Sequence, residues 1–376
     1  MTQSDKKADL AGPGISTYPE VAKVLPTGYR SVLTPMETME ALFASKAFIE
    51  EGLCRELNLK MVQVPLIVTR ESGVNDMLDR DGSRTPVEFP AGLGIEPRLN
   101  AQVVQAATKW KRTALAQFGC APGEGINTDM KAIRKDYFLD HDHSSYVDQW
   151  DWEKAITVEQ RNLDFLRDTV QRIWGVLSGA GRLVQEMYPQ LADGFPAIPE
   201  ELTFLHAEEI LEMYPDLPRK QRETAILQEY PAVFIIGIGY PLADGYPHEN
   251  RAADYDDWIT PNTRPDGRPG RGLNGDILVW NPVTKRRHEL TSMGIRVTKE
   301  TLVQQMEMAG LTENLALPYH QAILNDLIPL SVGGGIGQSR TWMYLLRKAH
   351  LGEVSVTIWP EELKEICRAA NIFVLE

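Results

Sequence analysis

The segment YVDQWDWE, from Tyr146 to Glu153, alternates aromatic and polar side chains with a period of two. Successive side chains of a β-strand point to opposite faces, so the segment predicts a strand with Gln149, Asp151 and Glu153 on one face. Aromatic side chains then anchor the opposite face. Gln149 and Asp151 would stand roughly 7 Å apart, a span suited to a small polar ligand. The alternative is an edge strand with a solvated face, although three aromatic residues opposing three polar groups exceed what such an edge requires.

The remaining hydrophobic pattern predicts helices and strands in an irregular order. Apolar residues at helical spacing predict one helix from Glu37 to Leu57 and another from Leu163 to Leu177. Further strands are predicted at Met61–Val68, Val233–Gly239 and Ile277–Trp280. Regular strand–helix alternation at Rossmann spacing is missing. The pattern therefore favours an α+β fold, in which helices flank a largely antiparallel sheet.

Two regions lack sustained periodicity and are rich in proline and glycine. In residues 1–30 these residues are mixed with charge, so we expect a loosely ordered extension there. The stretch from Pro261 to Gly272 predicts a long exposed loop, and a loop of that length beside polar motifs is often functional.

Composition excludes several classes of protein. The formal net charge of -13 repels polyanions, which favours small-molecule substrates over nucleic acid. The longest apolar run, Ala232 to Ile238, is far shorter than the roughly 20 residues of a membrane helix, and the N-terminus carries no apolar signal segment. We therefore expect a cytoplasmic protein with no membrane partner. Its three cysteines are widely spaced and form no CxxC pair, so neither a disulfide framework nor a zinc site is indicated.

A glycine-rich segment, GGGIGQSR from Gly333 to Arg340, precedes a helical pattern. It predicts a glycine turn that lets a ligand approach the backbone, followed by a helix start with free amide donors. Arg340 stands where a dinucleotide fingerprint would have its third glycine. Its guanidinium can bind a phosphate or carboxylate through two parallel hydrogen bonds. The alternative is a turn that only packs a helix and leaves the arginine exposed.

Acidic residues between Asp254 and Glu289 supply candidate metal ligands. Asp276 opens the apolar run ILVW and is placed at a strand end that faces a cleft. Carboxylates on neighbouring strands can hold Mg²⁺, with phosphate oxygens and water completing its coordination. We interpret Asp254 and Asp257 as ordinary surface charge.

Basic residues precede the Gln149 strand and suit the phosphates of a nucleoside triphosphate. They are Lys109, Lys111, Arg112, Lys131 and Arg134. Taken singly, each lysine is better explained as a solvated surface residue than as a functional one. A metal site at His141 and His143 would need further ligands that the sequence does not place, so we interpret both as polar loop residues.

Eight ordered segments together resemble ammonia-dependent asparagine synthetase, the aspartate–ammonia ligase family. They are KWKR, GEG, MKAIR, YVDQWDWE, YDDW, LNGDILVWNP, SMGIR and GGGIGQSR. The resemblance extends from about residue 31 to near the C-terminus. It implies that residues 31–376 form a single domain similar to the catalytic domain of class II aminoacyl-tRNA synthetases, and that the protein is a homodimer.

The resemblance also implies a pocket for L-aspartate. Asp76 would hold the substrate amino group, and Gln149 and Asp151 would line the same pocket. Lys111 and Arg296 would contact the substrate carboxylates.

On the nucleotide side, the resemblance implies that Arg134 steadies the α-phosphate and the acyl phosphate. Arg340 would contact the ATP phosphates, and Asp276 and Glu289 would bind Mg²⁺. Two further residues would line the nucleotide: Asp256 and Ser292. Asp76, Arg134 and Gln149 would be the catalytic residues.

The implied reaction has two steps. The aspartate β-carboxylate attacks ATP to give β-aspartyl-AMP and pyrophosphate, and ammonia then displaces AMP. This chain has Gln105 where the family usually has a histidine, which leaves open a related amide ligase with another acid or amine. The same fold also allows acyl transfer to tRNA, which the charge and the absence of an anticodon-binding segment oppose. A non-catalytic binding protein is opposed by the retained site residues.

Overall fold

The computed structural model describes residues 15–76, 78 and 84–376. In chain order, the strands of this part are β1 (Leu59–Met61), β2 (Ile67–Thr69), β3 (Glu88–Ala91), β4 (Leu99–Val103), β5 (Gly125–Ile133), β6 (Tyr146–Ala155), β7 (Thr203–His206), β8 (Ala232–Ile236), β9 (Pro261–Thr263), β10 (Pro269–Arg271), β11 (Asn274–Asn281), β12 (Arg286–Glu289), β13 (Thr291–Ile295) and β14 (Ser331–Gly337). The α-helices are α1 (Tyr18–Val24), α2 (Pro35–Leu57), α3 (Thr108–Gln117), α4 (Leu163–Met187), α5 (Ala207–Met213), α6 (Arg219–Glu229), α7 (Lys299–Ala309), α8 (Pro318–Leu324), α9 (Gln338–Leu345) and α10 (Glu361–Ala369).

A nine-stranded sheet in the order β1-β5-β6-β14-β13-β11-β8-β7, with β12 paired to β11, forms the centre of the molecule. Only the outer pairs β1–β5 and β7–β8 are parallel, and the other pairs of this sheet are antiparallel. The predicted α+β fold with a largely antiparallel sheet is confirmed.

The two long helices, α2 and α4, cover the face of this sheet that carries Trp150 and Trp152. Asn162 caps α4 by accepting a hydrogen bond from the Phe165 amide at 2.9 Å. An apolar stripe on α4 that includes Leu166, Val170 and Ile173 is fully buried in the same core as Trp150 and Trp152. Burial of each large apolar side chain stabilises the fold by about 1.5–3 kcal/mol. The predicted helices were therefore correct in position, and α4 extends ten residues beyond Leu177, to Met187.

Three expectations differ from the structure. Met61–Val68 is not one strand: β1 ends at Met61 and β2 begins at Ile67 in another sheet. Pro261–Gly272 is not an irregular loop, because β9 and β10 pair as a short antiparallel hairpin within it.

The third difference concerns the N-terminal extension. Residues 18–24 form helix α1, and Val21, Leu25 and Tyr29 are buried in the main core. The Tyr29 hydroxyl also donates to Glu353 at 3.0 Å. Residues 15–30 are therefore packed on the domain, and residues 1–14 lie outside the described residues. Among the described residues, no helix is both long and apolar enough to cross a membrane.

Candidate active site

The polar face of β6 lies against a neighbour that has almost no side chains. Gln149, Asp151 and Glu153 pair with Gly337, Gly335 and Gly333 of β14, respectively. A Cβ atom on Gly333 would lie 1.9 Å from Glu153 Oε2, and one on Gly335 would lie 2.9 Å from Gln149 Oε1. Glycine at these positions makes room for the polar side chains of β6. This arrangement bears out the predicted orientation of Gln149 and Asp151.

The glycine-rich segment itself differs from the expectation. Gly333–Gly337 is strand rather than turn, and α9 begins immediately after it. The Ser339 amide and hydroxyl in the first turn of α9 donate to Asp148 Oδ1 at 3.1 and 2.7 Å. A protein carboxylate therefore occupies the Ser339 amide, one of the donors that were expected to serve a ligand.

A cavity of about 80 Å³ opens above the polar face. Six of the eleven predicted site residues line it: Arg134, Gln149, Asp151, Asp256, Ser292 and Arg296. The sheet thus brings together residues that lie far apart in sequence, from β5 to β13.

Lys111, another predicted site residue, is buried under this cavity. Its Nζ forms an ion pair with Asp151 and donates to the carbonyl oxygen of Gly334 at 2.8 Å. The Ala107 amide donates to the second Asp151 oxygen at 3.3 Å. Lys111 therefore links β6, β14 and α3, and Lys109 is buried as well. The interpretation of these two lysines as solvated residues was wrong, because both enter the core on the buried side of α3.

Asp76 lies at the N-terminus of α3. Its Oδ2 accepts a hydrogen bond from the Thr108 amide at 2.9 Å, and its buried Oδ1 has no partner among the described residues. Burial raises the pKa of Asp76, and the positive charge of Lys109 opposes that shift. The free oxygen is suited to a cationic ligand group.

Arg296 is enclosed by carboxylates. It donates to Glu153 through Nη2 at 2.8 Å and forms an ion pair with Asp256. Two neighbouring acids have buried partners: Asp254 pairs with Lys109, and Asp257 pairs with Arg161 at 2.6 Å. The interpretation of Asp254 and Asp257 as surface charge was wrong, because both are neutralised inside the fold.

A second cavity, of about 440 Å³, adjoins the first. Arg134, Gln149 and Ser292 line both cavities, and Asp276 and Glu289 line the larger one. Arg134 lies directly after β5, and its Nε donates to the carbonyl oxygen of Gln105 at 2.9 Å.

Three carboxylates in the larger cavity fit a divalent cation. Oxygen atoms of Glu249, Asp276 and Glu289 all lie within 4.8 Å of one another. Burial and the charges of Glu289 and Glu249 raise the pKa of Asp276 to about 7, against the effect of Arg251, which donates to Asp276 at 2.6 Å. Clustered carboxylate oxygens are the ligands that Mg²⁺ prefers. Glu249 was not predicted from the sequence, because it lies in a connecting segment without periodicity.

Arg340 borders a third cavity, of about 110 Å³. Its Nη2 lies 3.1 Å from His143 Nε2, and its Nη1 lies 3.6 Å from Glu289 Oε1. His143 Nδ1 lies 2.9 Å from Asp142 Oδ1. Arg340 is therefore not a free surface arginine. His143 lines the same cavity and contacts this arginine, so it is more than a polar loop residue. In the sequence, only the neighbouring acid Asp142 in the HDH segment indicated such a role.

Comparison with known proteins agrees with this geometry. A family model described as aspartate-ammonia ligase matches residues 36–371. An aspartate–ammonia ligase of Bacteroides fragilis is 46% identical over 355 residues, which is 94% of this chain and 99% of the relative. One of Clostridium perfringens is 44% identical over 351 residues, covering 93% of this chain and 98% of the relative.

Solved structures support the fold. Asparaginyl-tRNA synthetase from Pyrococcus horikoshii in complex with asparaginyl-adenylate superposes with a TM-score of 0.62 at 15% identity, covering 85% of this chain and 68% of that one. The corresponding Entamoeba histolytica enzyme gives a TM-score of 0.59 at 15% identity, covering 85% of this chain and 67% of that one. These likenesses confirm the predicted class II synthetase fold. The family model and the near-complete matches to the relatives above establish that this chain belongs to the aspartate–ammonia ligase family.

Proposed function

We propose that this chain joins ammonia to the side-chain carboxylate of L-aspartate in an ATP-dependent reaction that forms AMP and passes through β-aspartyl-AMP. The observation that carries the proposal is that three cavities meet at one point. Arg134, Gln149 and Ser292 line all of them. A small acid in the narrow cavity and a nucleotide in the wider ones would therefore place their reacting groups beside the same three side chains.

The narrow cavity suits a zwitterionic amino acid. Asp76 does not line the cavity itself, but it accepts from the amide of Thr108, which does, and it offers an unpaired buried oxygen for the substrate ammonium group. Asp151 also lines the cavity. Lys111 and Arg296 are the cations proposed to contact the substrate carboxylates, and each is paired with a protein carboxylate before the substrate binds. Because a buried charge is stable only when it is paired, the unpaired oxygen of Asp76 favours a ligand with a cationic group.

In the first step, a β-carboxylate oxygen of aspartate attacks the α-phosphorus of ATP, and the bond to pyrophosphate breaks. Both reactants are anionic, so positioning and charge stabilisation are the main tasks of the protein. Arg134 lies at the junction of the cavities and neutralises charge that develops on the α-phosphate. Its Nε is already held by the Gln105 carbonyl, which leaves the terminal nitrogens of the guanidinium to contact the phosphate.

In the second step, ammonia attacks the acyl carbon, the bond to AMP breaks, and a proton is released as the amide forms. Gln149 lies beside the acyl group in this arrangement, where its side-chain amide can accept a hydrogen bond from ammonia or donate one to the acyl oxygen. Arg340 lines a cavity on the nucleotide side of the same junction, whereas Asp256 lines the narrow cavity and pairs with Arg296.

We also propose that Glu249, Asp276 and Glu289 hold Mg²⁺. When bound there, Mg²⁺ would neutralise part of the charge on the ATP phosphates. The acids themselves hold the cation, and Arg251 orients Asp276 through the 2.6 Å hydrogen bond between them.

A homodimer in the cytoplasm is proposed for this enzyme. Met36 and Phe43 stand seven residues apart on α2 and are 69% and 66% exposed. Leu66 and Ile67, which follow β1 in the chain, are also about half exposed. Apolar exposure on one long helix is typical of a subunit interface. The cytoplasmic location follows from the proposed use of ATP and free aspartate.

The reaction is tested by incubating the purified protein with aspartate, ATP, Mg²⁺ and ammonium, and by separating the nucleotide and amino-acid products. We expect AMP and asparagine in equal amounts. ADP in place of AMP, or no amide at any pH, would refute the proposal. Pyrophosphate release with another acid, while aspartate is inactive, would favour a related amide ligase instead.

A further inference from the structure

A buried cluster of charged side chains begins at Lys109, the residue after Thr108, whose amide donates to Asp76. Lys109 on α3 donates its Nζ to Asp254 at 2.7 Å, and His320 Nε2 on α8 lies 3.1 Å from the same carboxylate oxygen. The hydroxyl of Tyr319 donates to the main-chain carbonyl of Asp254 at 3.1 Å. The side chains of Lys109, Asp254 and His320 are 2%, 8% and 0% exposed. None of these three residues lines the three cavities, so the proposed reaction does not account for them.

The position of Asp76 explains why such a cluster is useful. An ionised carboxylate is costly in a buried site, yet only an ionised Asp76 can attract a substrate ammonium group. The Thr108 amide is its one hydrogen-bond donor among the described residues. The neighbouring carboxylate of Asp151 is already paired with Lys111. A further positive charge is therefore needed near Asp76, and Lys109 follows Thr108 in the chain.

On the basis of the proposed function, we propose that Lys109 and Asp254 are positioning residues that set the charge state of Asp76. Lys109 favours the ionised carboxylate that receives the substrate ammonium group. Asp254 fixes Lys109 in place and limits how strongly its charge acts on Asp76. The cluster thereby tunes the affinity for aspartate without touching the substrate.

The charges that face Asp76 act in opposite directions. Burial raises its pKa most, Lys109 lowers it, and Asp254 and Asp151 raise it. The phenol of Tyr255 also lies close enough to respond to the Asp76 charge, but its own pKa lies far above neutrality. Removing Lys109 should therefore raise the pKa of Asp76, and removing the charge of Asp254 should lower it.

The test uses Lys109→Met and Asp254→Asn in the full-length protein. Aspartate-dependent exchange of pyrophosphate into ATP is measured without ammonia from pH 6 to 9, so that the ionisation of ammonium does not enter. Aspartate binds above the pKa of Asp76, so a raised pKa moves the rising limb of kcat/KM for aspartate to higher pH. For Lys109→Met we expect the loss of kcat/KM to be largest, about tenfold or more, at the lowest pH and to shrink as pH rises, because one nearby charge shifts a carboxyl pKa by about 1–3.

For Asp254→Asn we expect the opposite shift, with the ratio of variant to wild type highest at low pH. Lys299→Met removes a lysine from an exposed pair with Asp326 and should leave the profile unchanged. KM for ATP should stay within about twofold of wild type in all three proteins, which also reports that the variants are folded. If Lys109→Met does not fold, Lys109→Gln and Asp254→Asn carry the same comparison.

A purely structural role predicts a different result. Both buried variants would then lose kcat/KM by the same factor at every pH, and that outcome would overturn the inference. Absence of aspartate-dependent exchange in the wild-type protein would instead refute the proposed function. The two failures are therefore distinguishable.

Discussion

Arg296 and Glu153 form a buried ion pair in which Nη2 donates to Oε2 at 2.8 Å. Ser331 donates its hydroxyl to the other carboxylate oxygen at 2.7 Å. Glu153→Ala would leave the buried guanidinium without its main partner, so we expect the free energy of unfolding to fall by about 3–5 kcal/mol in urea titrations. Asp168→Ala breaks the exposed pair with Arg172 and should change it by about 0.5 kcal/mol at most. Equal losses in the two variants would contradict the proposed importance of the buried pair.

Replacement of Arg134 by alanine should remove charge stabilisation of on the order of 3 kcal/mol, roughly a hundredfold in kcat. Arg134 lines all three cavities, so the loss should appear in both pyrophosphate exchange and asparagine formation. Arg55→Ala, at an exposed arginine on α2, is the matched control and should keep wild-type rates. An unchanged turnover of the Arg134 variant would exclude its assigned role.

Gln105 contacts two proposed catalytic residues, Arg134 and Asp76, and the contact with Arg134 is made by its backbone. Its carbonyl accepts from Arg134, and only its side-chain amide reaches the Asp76 carbonyl, at 3.2 Å. Because a histidine nitrogen can also donate to that carbonyl, Gln105→His should retain kcat and both KM values for aspartate and ammonium within about threefold. Steady-state assays at varied ammonium concentrations check this. A large change in the preferred acid or amine would show that this position determines specificity.

Glu249 is expected to be a metal ligand although its sequence context carries no direct sign of that role. Glu249→Gln keeps the shape of the side chain and removes its charge, so the Mg²⁺ concentration for half-maximal exchange should rise about tenfold or more. Glu361→Gln, which alters an exposed acid on α10, should leave it unchanged. An unaltered Mg²⁺ dependence in the first variant would remove Glu249 from the proposed site.

Acid sensitivity should come partly from His350. Burial lowers its pKa to about 3 in the folded state, whereas an unfolded histidine titrates near 6.5. Between these values the unfolded chain binds a proton that the folded chain does not, so stability falls as pH falls, by about 1.4 kcal/mol per pH unit. His350→Asn preserves an acceptor for the Gly352 amide and should flatten this dependence. Urea titrations of both proteins at pH 5 and pH 6.5 check this. If the free energy of unfolding falls equally in the wild type and in His350→Asn, the role of His350 is refuted.

The local pattern of apolar and polar residues was sufficient to predict much of the fold. The alternation around Gln149 predicted β6 and its faces, and helical periodicity predicted α2 and α4. It was insufficient where pairing depends on distant partners. The segment after Met61 is apolar enough for a strand, yet β1 pairs with β5 and β2 with β4, so the chain breaks between them.

The site residues also fall into two groups, those that local pattern predicts and those that depend on distant partners. Gln149, Asp151 and Arg134 lie on or beside a strand whose pattern is visible in the sequence. Burial of Asp254, Asp257 and the lysines of KWKR is decided by tertiary neighbours, and a polar residue in a loop looks the same whether it is solvated or paired. Glu249 and His143 were missed for that reason. The roles assigned to the eleven residues remain predictions, although their grouping around adjoining cavities supports them.

The glycines of β14 also restrict how the substrate range can change. The floor of the narrow cavity is main chain at Gly334 and Gly335, and any added side chain at Gly335 would meet Gln149. Any side chain added at these two glycines would reduce the cavity, so no substitution at either position can admit a longer acid. A variant enzyme that accepts a homologue with one more methylene must therefore be sought among the walls, at Ala106, Leu78 or Tyr255.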